Sequence, residues 1–110
     1  MKVLFLCTSN VNRSKTAEDY FRDIDDDNVY KSAGLSEKYC AKYKSRLCTI
    51  QDLEWADSIY VMEKIHVERI RKYAGEHFLE KVKNLDIDDV YTYMDQELIN
   101  ILTAKVLKNT

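Results

Sequence analysis

Residues 3–14 read VLFLCTSNVNRS, and this stretch decides the fold that we expect. Its apolar run, residues 3–6, predicts a buried strand that Cys7 ends. A helix is predicted to follow, because apolar residues recur at i, i+3, i+4 and i+7 on one face: Ala17, Tyr20, Phe21 and Ile24. Where a strand, a tight loop and a helix N-terminus follow each other, backbone N–H groups and the helix dipole can meet an anion. We therefore expect the loop to bind phosphate.

The spacing between Cys7 and Arg13 is weak evidence alone, since the chain contains it twice. Cys40 and Arg46 are also six residues apart. That second segment follows no strand-like run, and its bulky residues suit an anion-binding backbone badly. Context therefore selects Cys7 as the candidate nucleophile. For Cys40 and Cys48 we expect a buried packing role.

The composition indicates one modest hydrophobic core: the chain has 110 residues, of which 45% are hydrophobic and 33% charged. We expect a single domain over residues 1–110, as a monomer or weak dimer. A net charge of −2 gives no nucleic-acid footprint, and no apolar run is long enough to span a membrane. Because no signal peptide opens the chain and its three cysteines are an odd number, we expect a cytoplasmic protein without disulfides. The cysteine spacings match no zinc site, so we expect neither a metal nor a cofactor.

Strands and helices are predicted to alternate along the chain. Strands are predicted at residues 2–7, 29–33, 58–62 and 82–87, and helices at 14–24, 50–56, 64–74 and 96–108, the last capped by Asp95. Residues 37–49 are expected to form a loop or an irregular helix. Such alternation favours parallel strands with right-handed crossovers. We therefore predict a three-layer α/β sandwich with a four-stranded parallel sheet flanked by helices, where ligands bind beyond the carboxyl ends of the strands.

The loop after Cys7 combines three groups that phosphate chemistry needs. A helix N-terminus, inward N–H groups and Arg13 would each favour the nucleophilic thiolate of Cys7. The planar fork of Arg13 can hold two phosphate oxygens, most strongly as charge spreads in the transition state. Ser14 can donate a hydrogen bond to the sulfur. The other loop residues are expected to bind phosphate through their backbone: Thr8, Ser9, Asn10, Val11 and Asn12.

Release of an alkoxide or phenoxide needs a proton, so we expect near the loop a carboxylic acid that later serves as base for water. The candidates by position are Asp86, Asp88, Asp89 and Asp95, and composition does not choose among them. Tyr91 and Tyr93 can flank an aromatic substrate ring or pack the loop down. For His66 and His77 we expect surface or capping roles.

These residues lie in segments that resemble the low-molecular-weight protein tyrosine phosphatases, and more closely a short bacterial and archaeal branch of predicted tyrosine phosphatases. The segments span nearly the whole chain: residues 3–14 with the Cys-x5-Arg-Ser loop, 16–18, 32–34, 52–57, 61–64 and 85–98. The resemblance implies a four-stranded parallel sheet flanked by helices. By position it also implies Cys7 as nucleophile, Arg13 as phosphate binder and Ser14 as the hydroxyl that steadies the thiolate. Asn10 would hold the loop in its phosphate-binding shape.

In the family, the general acid lies in an Asp-Pro-Tyr segment, which aligns with residues 89–91. The resemblance therefore implies Asp89 as general acid and base, with Asp88 as its substitute. Val90 replaces the family's proline, which leaves the aim of Asp89 less constrained. Asn12 stands where many relatives carry a second loop cysteine, so their loop disulfide cannot form here.

We expect a metal-independent phosphatase that forms a phosphocysteine on Cys7. Its partner would be a phosphorylated protein, by resemblance a phosphotyrosine protein, or a small phosphoester. Three alternatives stay open. A phosphocarrier of the sugar phosphotransferase type would lack Arg13, and an arsenate reductase of the same fold would need relay cysteines, such as Cys40 and Cys48. A phosphate- or phosphopeptide-binding module that has lost its acid loop stays open because Val90 replaces the proline beside the acid.

Overall fold

The computed structural model describes residues 1–108 and has the three-layer α/β architecture that the sequence predicts. Its elements follow in the order β1 (Lys2–Cys7), α1 (Arg13–Ile24), β2 (Val29–Gly34), α2 (Glu37–Tyr43), α3 (Ile50–Trp55), β3 (Ser58–Val61), α4 (Lys64–Ala74), a short 3-10 helix (Leu79–Lys81), β4 (Val82–Asn84) and α5 (Gln96–Lys108). The four strands pair in parallel, in the order β2-β1-β3-β4.

The strand β1 lies inside the sheet, because β2 and β3 pair with its two edges. Its pairing with β2 runs from Lys2 opposite Val29 to Cys7 opposite Gly34. Every residue of β1 except Lys2 is buried, as expected for a strand that helices cover on both faces. Because parallel strands end at the same edge, Cys7 and Gly34 lie together at the carboxyl edge of the sheet.

Alternating residues of β1 face two separate cores. Phe5 and Cys7 belong to the cluster beneath α1 and α5, where the rings of Phe5 and Phe21 stack with 5.7 Å between their centroids. Leu4 and Leu6 belong to the opposite cluster, formed with α3 and α4. Successive side chains of a strand point to opposite faces. This layering places Cys7 on the face that α1 covers.

Most predicted boundaries hold to within one residue. The differences are that α1 begins at Arg13, β2 ends at Gly34, α3 ends at Trp55 and β3 ends at Val61. The bounds of α4 and α5 are as predicted. Asp95 caps α5 as predicted, since its Oδ1 accepts the backbone N–H of Glu97 at 2.8 Å.

The strand β4 ends at Asn84 and is therefore shorter than the strand that the sequence predicts over residues 82–87. Asp86 has a φ of 51°, a left-handed conformation that interrupts the extended backbone. The chain still stays beside the sheet, since the N–H of Ile87 donates to the carbonyl of Met62 at 2.7 Å. The segment after β4 is therefore anchored at the carboxyl edge.

A regular helix, α2, lies where the sequence predicts a loop or an irregular helix. The hydroxyl of Ser36 caps its start by accepting the N–H of Tyr39 at 3.2 Å. The helix ends at Tyr43, and Lys44 follows it in a left-handed conformation. Cys40 is the buried residue among its seven. A helix with so small a buried face shows little hydrophobic periodicity, so the sequence does not reveal it.

Periodicity misplaces Ile24, which is predicted on the buried face of α1 but is exposed at the last position of the helix. Within residues 1–108, no helix is both long and apolar enough to cross a membrane. The single domain over residues 1–110 stays a prediction, and residues 109 and 110 lie outside the described residues.

Candidate active site

In the loop between β1 and α1, the carbonyl groups of Thr8 and Ser9 are hydrogen-bonded, whereas the backbone N–H groups are free. The carbonyl of Thr8 accepts the N–H of Ser36 at 3.0 Å, and that of Ser9 accepts the hydroxyl of Ser45. In the described part of the chain, the backbone N–H groups of residues 8–14 donate to no other protein group. Consecutive free N–H groups at a helix N-terminus are suited to bind an anion.

Asn10 gives this loop its turn and its internal network. Its φ is 56°, a left-handed conformation that asparagine tolerates. Its Nδ2 donates to the hydroxyls of Ser14 and Ser32 at 2.8 and 2.9 Å, so both keep their hydrogens for other acceptors. The hydroxyl of Ser32 donates to Glu18 Oε1 at 2.5 Å. The hydroxyl of Ser14 lies 3.0 Å from Cys7 Sγ and 3.5 Å from the carbonyl oxygen of Ala33, so the sulfur is the nearer of the two groups that can accept its hydrogen.

Arg13 is held on one side of its guanidinium group. The residue is 1% exposed, and its Nη1 donates to Glu63 Oε2 and to the carbonyl of Ile87, both at 2.7 Å. Its Nε lies 3.6 Å from Asp89 Oδ1. Among the described residues, no buried side-chain nitrogen or oxygen lacks a hydrogen-bond partner, so the edge formed by Nε and Nη2 reaches accessible space. Such an edge can bind two oxygens of one phosphate.

Of the four candidate acids, Asp89 is the one that pairs with Arg13. Its side chain is 61% exposed, so its carboxylate also reaches solvent. Asp86 binds the side-chain amide of a neighbour, and Asp95 caps α5. Asp88 is exposed one residue before Asp89. Position therefore favours Asp89 as the acid for a group bound at the loop.

A cavity of about 420 Å³ opens beside the loop. Its lining comes from the loop, from α2 and from the segment after β4: Thr8, Ser9, Val11, Asn12, Tyr39, Tyr43 and Asp89. Tyr91, predicted as a residue that binds substrate or packs, does not line this cavity. It is partly buried against the core cluster beneath α1 and α5, which favours the packing interpretation. The tyrosines beside the loop are Tyr39 and Tyr43 instead.

The first turn of α4 and the residue before it contact the loop through two side chains that the sequence does not reveal as site residues. Glu63, the residue before α4, binds Arg13 as described above. His66 is 2% exposed, its Nε2 lies 3.0 Å from Thr8 Oγ1, and its Nδ1 accepts the backbone N–H of Glu63 at 3.0 Å. The residue therefore caps α4, as predicted, but from a buried position. Burial, together with the positive charge of Arg13, lowers the pKa of His66 to about 4, so its ring is neutral near pH 7.

The two other cysteines are buried, as predicted. The Sγ of Cys40 lies 3.7 Å from the carbonyl oxygen of Ser9. Burial raises the pKa of the Cys48 thiol to about 12. Within residues 1–108, no group of three or more His, Cys, Asp and Glu side chains is arranged to hold a metal ion.

Solved structures of several phosphatases are similar to this chain. A low-molecular-weight protein tyrosine phosphatase from Streptococcus pyogenes has a TM-score of 0.78 and 20% identity, over 97% of this chain and 89% of that one. The tyrosine phosphatase amsI of Erwinia amylovora has a TM-score of 0.76 and 19% identity, over 97% and 89%. The YwlE arginine phosphatase of Geobacillus stearothermophilus has a TM-score of 0.70 and 17% identity, over 98% and 93%. No protein-family model and no curated protein matches the sequence.

At identities near 20%, these similarities show a shared fold. The coverage shows that this fold extends over nearly the whole of each chain. The features that place the site belong to this fold: a parallel four-stranded sheet with helices on both faces, and a loop that joins β1 to α1 at the carboxyl edge. The chain therefore has the fold of the low-molecular-weight protein tyrosine phosphatases.

Proposed function

We propose that this protein hydrolyses phosphate monoesters with Cys7 as the nucleophile. The observation that carries the proposal is the loop of residues 8–14, whose free N–H groups accompany the edge of Arg13 formed by Nε and Nη2, with Asp89 3.6 Å from Nε. Both features bind anions, and Cys7 leads directly into the same loop. A phosphoryl group bound there lies next to a thiol. The fold shared with phosphatases supports the same class of reaction.

In the first step, the Cys7 thiolate attacks phosphorus, so that an S–P bond forms while the bond from phosphorus to the leaving oxygen breaks. Ser14 stabilises the charged sulfur through its hydroxyl, 3.0 Å away. The loop N–H groups and Arg13 stabilise the charge on the three equatorial oxygens. Asp89 gives its proton to the leaving oxygen, and the products are a phosphocysteine and an alcohol or phenol.

In the second step, a water molecule attacks the phosphocysteine. Asp89, now ionised, takes a proton from the water while the new O–P bond forms and the S–P bond breaks. The electron pair returns to the sulfur of Cys7, which Ser14 again stabilises. Phosphate leaves, and Asp89 is protonated for the next cycle. Because Arg13 and the loop supply the charge stabilisation, we expect the reaction to need neither a metal nor a cofactor.

The proposed substrate is a phosphorylated protein, with phosphotyrosine preferred over phosphoarginine. The similar structures include both tyrosine phosphatases and an arginine phosphatase, so both classes need testing. Tyr39 and Tyr43 line the cavity beside the loop, and their faces can flank the ring of a phosphotyrosine. Turnover of matched phosphotyrosine and phosphoarginine peptides tests the preference. Faster turnover of phosphoarginine would contradict it.

The central experiment is turnover of p-nitrophenyl phosphate by the full chain in EDTA. We expect the wild type to be active, and Cys7→Ser and Arg13→Ala to lose roughly 10³-fold or more, because the nucleophile or the phosphate binder is removed. Cys48→Ser is the matched control: the same atom is exchanged away from the loop, and activity per folded molecule should be kept. Rapid quenching should detect phosphate on Cys7. Unchanged turnover in Cys7→Ser would contradict the mechanism.

The alternatives predict other outcomes in the same assays. A binding module binds phosphate without turnover, and a phosphocarrier accepts phosphate from a phosphohistidine donor without releasing it. An arsenate reductase needs Cys40 and Cys48 as relay thiols, and both are buried. A cytoplasmic location and a monomer or weak dimer complete the proposal, and cell fractionation and sedimentation test them.

A further inference from the structure

Thr8 is the first residue of the loop after Cys7, and His66 contacts it from α4. The two side chains meet at 3.0 Å, between Thr8 Oγ1 and His66 Nε2. Thr8 also lines the cavity that Asp89 borders. Because a hydroxyl can donate or accept, what Thr8 offers to that cavity depends on which nitrogen of His66 carries the hydrogen.

The second nitrogen of the ring identifies the tautomer. Nδ1 accepts the backbone N–H of Glu63 at 3.0 Å, so it carries no hydrogen. A neutral imidazole has one N–H group, which then lies on Nε2. A doubly protonated ring would lose the bond from Glu63 and place a buried charge near Arg13, in keeping with a pKa lowered to about 4. Nε2–H therefore donates to Thr8 Oγ1.

A hydroxyl that accepts from His66 keeps its own hydrogen for another acceptor. Within residues 1–108, no protein acceptor binds the hydroxyl hydrogen of Thr8. The residue lines the cavity beside the free N–H groups of the loop. An anion bound in the loop supplies the missing acceptor.

We infer that His66 is a positioning residue whose Nε2–H makes Thr8 a hydrogen-bond donor to the phosphoryl group in the loop. The inference rests on the proposed function for the identity of the anion. The hydroxyl of Thr8, at the start of the loop, is then a further donor to the phosphoryl group. The other donors are the backbone N–H groups and Arg13 at the end of the loop. His66 acts through Thr8 and does not touch the substrate.

Two substitutions separate the two bonds of His66. In His66→Asn, the amide oxygen lies near the Nδ1 position and keeps the bond from Glu63, but the side chain is too short to reach Thr8. In His66→Gln, the amide nitrogen lies near the Nε2 position and keeps the donor to Thr8, while the bond from Glu63 is lost. A merely structural role of His66 predicts that activity follows stability in both variants.

We expect His66→Asn to lower kcat for p-nitrophenyl phosphate about tenfold and to weaken the binding of inorganic phosphate by a similar factor, as for the loss of one hydrogen bond to a charged group. His66→Gln should recover most of both, even if its unfolding midpoint is lower. His77→Asn is the matched control at an exposed histidine and should change neither. Loss in His66→Gln equal to that in His66→Asn would overturn the inference.

Thr8→Val removes the hydroxyl and nearly keeps the side-chain shape. If His66 acts through Thr8, this variant loses about tenfold in kcat, and adding His66→Asn causes no further loss, because the two residues share one interaction. A further tenfold loss in the double variant would overturn the inference.

Phosphate affinity, measured by calorimetry on the full chain, separates this inference from the proposed function. A wild type that binds inorganic phosphate without ester turnover contradicts the proposed hydrolysis alone, and the affinities of the variants then decide on His66. Equal phosphate affinity in the wild type, Thr8→Val and His66→Asn would overturn the inference even in an active enzyme. A wild type that binds no phosphate would overturn both.

Discussion

Asp88 and Asp89 are neighbours in sequence, but Asp89 lies 3.6 Å from Arg13 and Asp88 is an exposed neighbour. We predict that Asp89→Asn lowers kcat about 10²- to 10⁴-fold for alkyl and phenyl phosphates, which need a proton on the leaving oxygen. The loss should be much smaller for p-nitrophenyl phosphate, whose leaving group needs little help. The measurement is kcat across a series of leaving groups.

Asp88→Asn is the control, with the same chemical change one residue away. Its leaving-group dependence should match that of the wild type. If Asp88→Asn and not Asp89→Asn shows the steeper dependence, the acid is assigned to the wrong carboxylate.

Glu63 tests whether the anchoring of Arg13 matters for turnover. We predict that Glu63→Ala lowers kcat about tenfold, because Nη1 keeps only the carbonyl of Ile87 and the free edge of the guanidinium loses its fixed direction. The control is Glu68→Ala, which removes an exposed carboxylate from α4, the helix that follows Glu63. An unchanged kcat with tighter phosphate binding would mean that Glu63 affects the site through its negative charge and not by holding Arg13 in place.

At the scale of elements, the end of β2 limits the shape of the loop. A Cβ atom on Gly34 would overlap the Sγ of Cys40 and would lie 2.9 Å from the carbonyl oxygen of Thr8. We predict that Gly34→Ala lowers the free energy of unfolding by about 1–3 kcal/mol and lowers kcat, because the loop backbone must shift. Denaturant unfolding and turnover of p-nitrophenyl phosphate measure the two effects.

A second substitution refines this prediction. Adding Cys40→Ala to Gly34→Ala removes the sulfur contact but leaves the contact with the Thr8 carbonyl. We therefore expect partial recovery of stability and little recovery of kcat. Wild-type values of both quantities in Gly34→Ala alone would show that β2 does not constrain the loop.

The elements that could be predicted are those whose pattern is local. The apolar run of β1 and the spacing of Ile70 in α4 or Leu102 in α5 record which residues are buried, and these elements have the predicted bounds. The end of β4 could not be predicted, because it depends on the left-handed backbone of Asp86. The helix α2 could not be recognised either, since Cys40 is its buried residue.

The candidate site divides in the same way. The loop carries its own signal, so Cys7, Arg13 and Ser14 could be selected from the sequence, and family resemblance added Asn10 and Asp89. Other contacts join distant parts of the chain, such as the bond from Arg13 to Glu63 or from His66 to Thr8. A single sequence carries no local signal for these pairs. In the sequence, Glu63 and His66 look like any residues at the start of a helix. Only the folded sheet places them beside the loop.

At the scale of the whole molecule, His66 makes stability depend on pH. Its pKa is lowered from 6.5 to about 4, by burial first and then by Arg13 and Arg69, against the opposing charges of Glu63 and Asp89. Below pH 6.5 the unfolded chain binds a proton that the folded protein excludes, so stability falls as the pH drops from 6.5 towards 4. We predict a steeper loss of unfolding free energy over this window in the wild type than in His66→Gln. Parallel curves would contradict a buried neutral ring.

The position of the loop at the edge of a parallel sheet has a consequence for how the chain becomes active. Arg13 bonds to groups 50 and 74 residues further along the chain, and Thr8 to one 58 residues away. Contacts of such sequence separation need the intervening loops to close, so the site is complete only when these parts of the chain have come together. A newly made or partly refolded chain thus carries the thiol without the surroundings that would make it reactive. After dilution from denaturant, hydrolysis of p-nitrophenyl phosphate should return with the same rate constant as the fluorescence change of Trp55. Activity would then report completed folding.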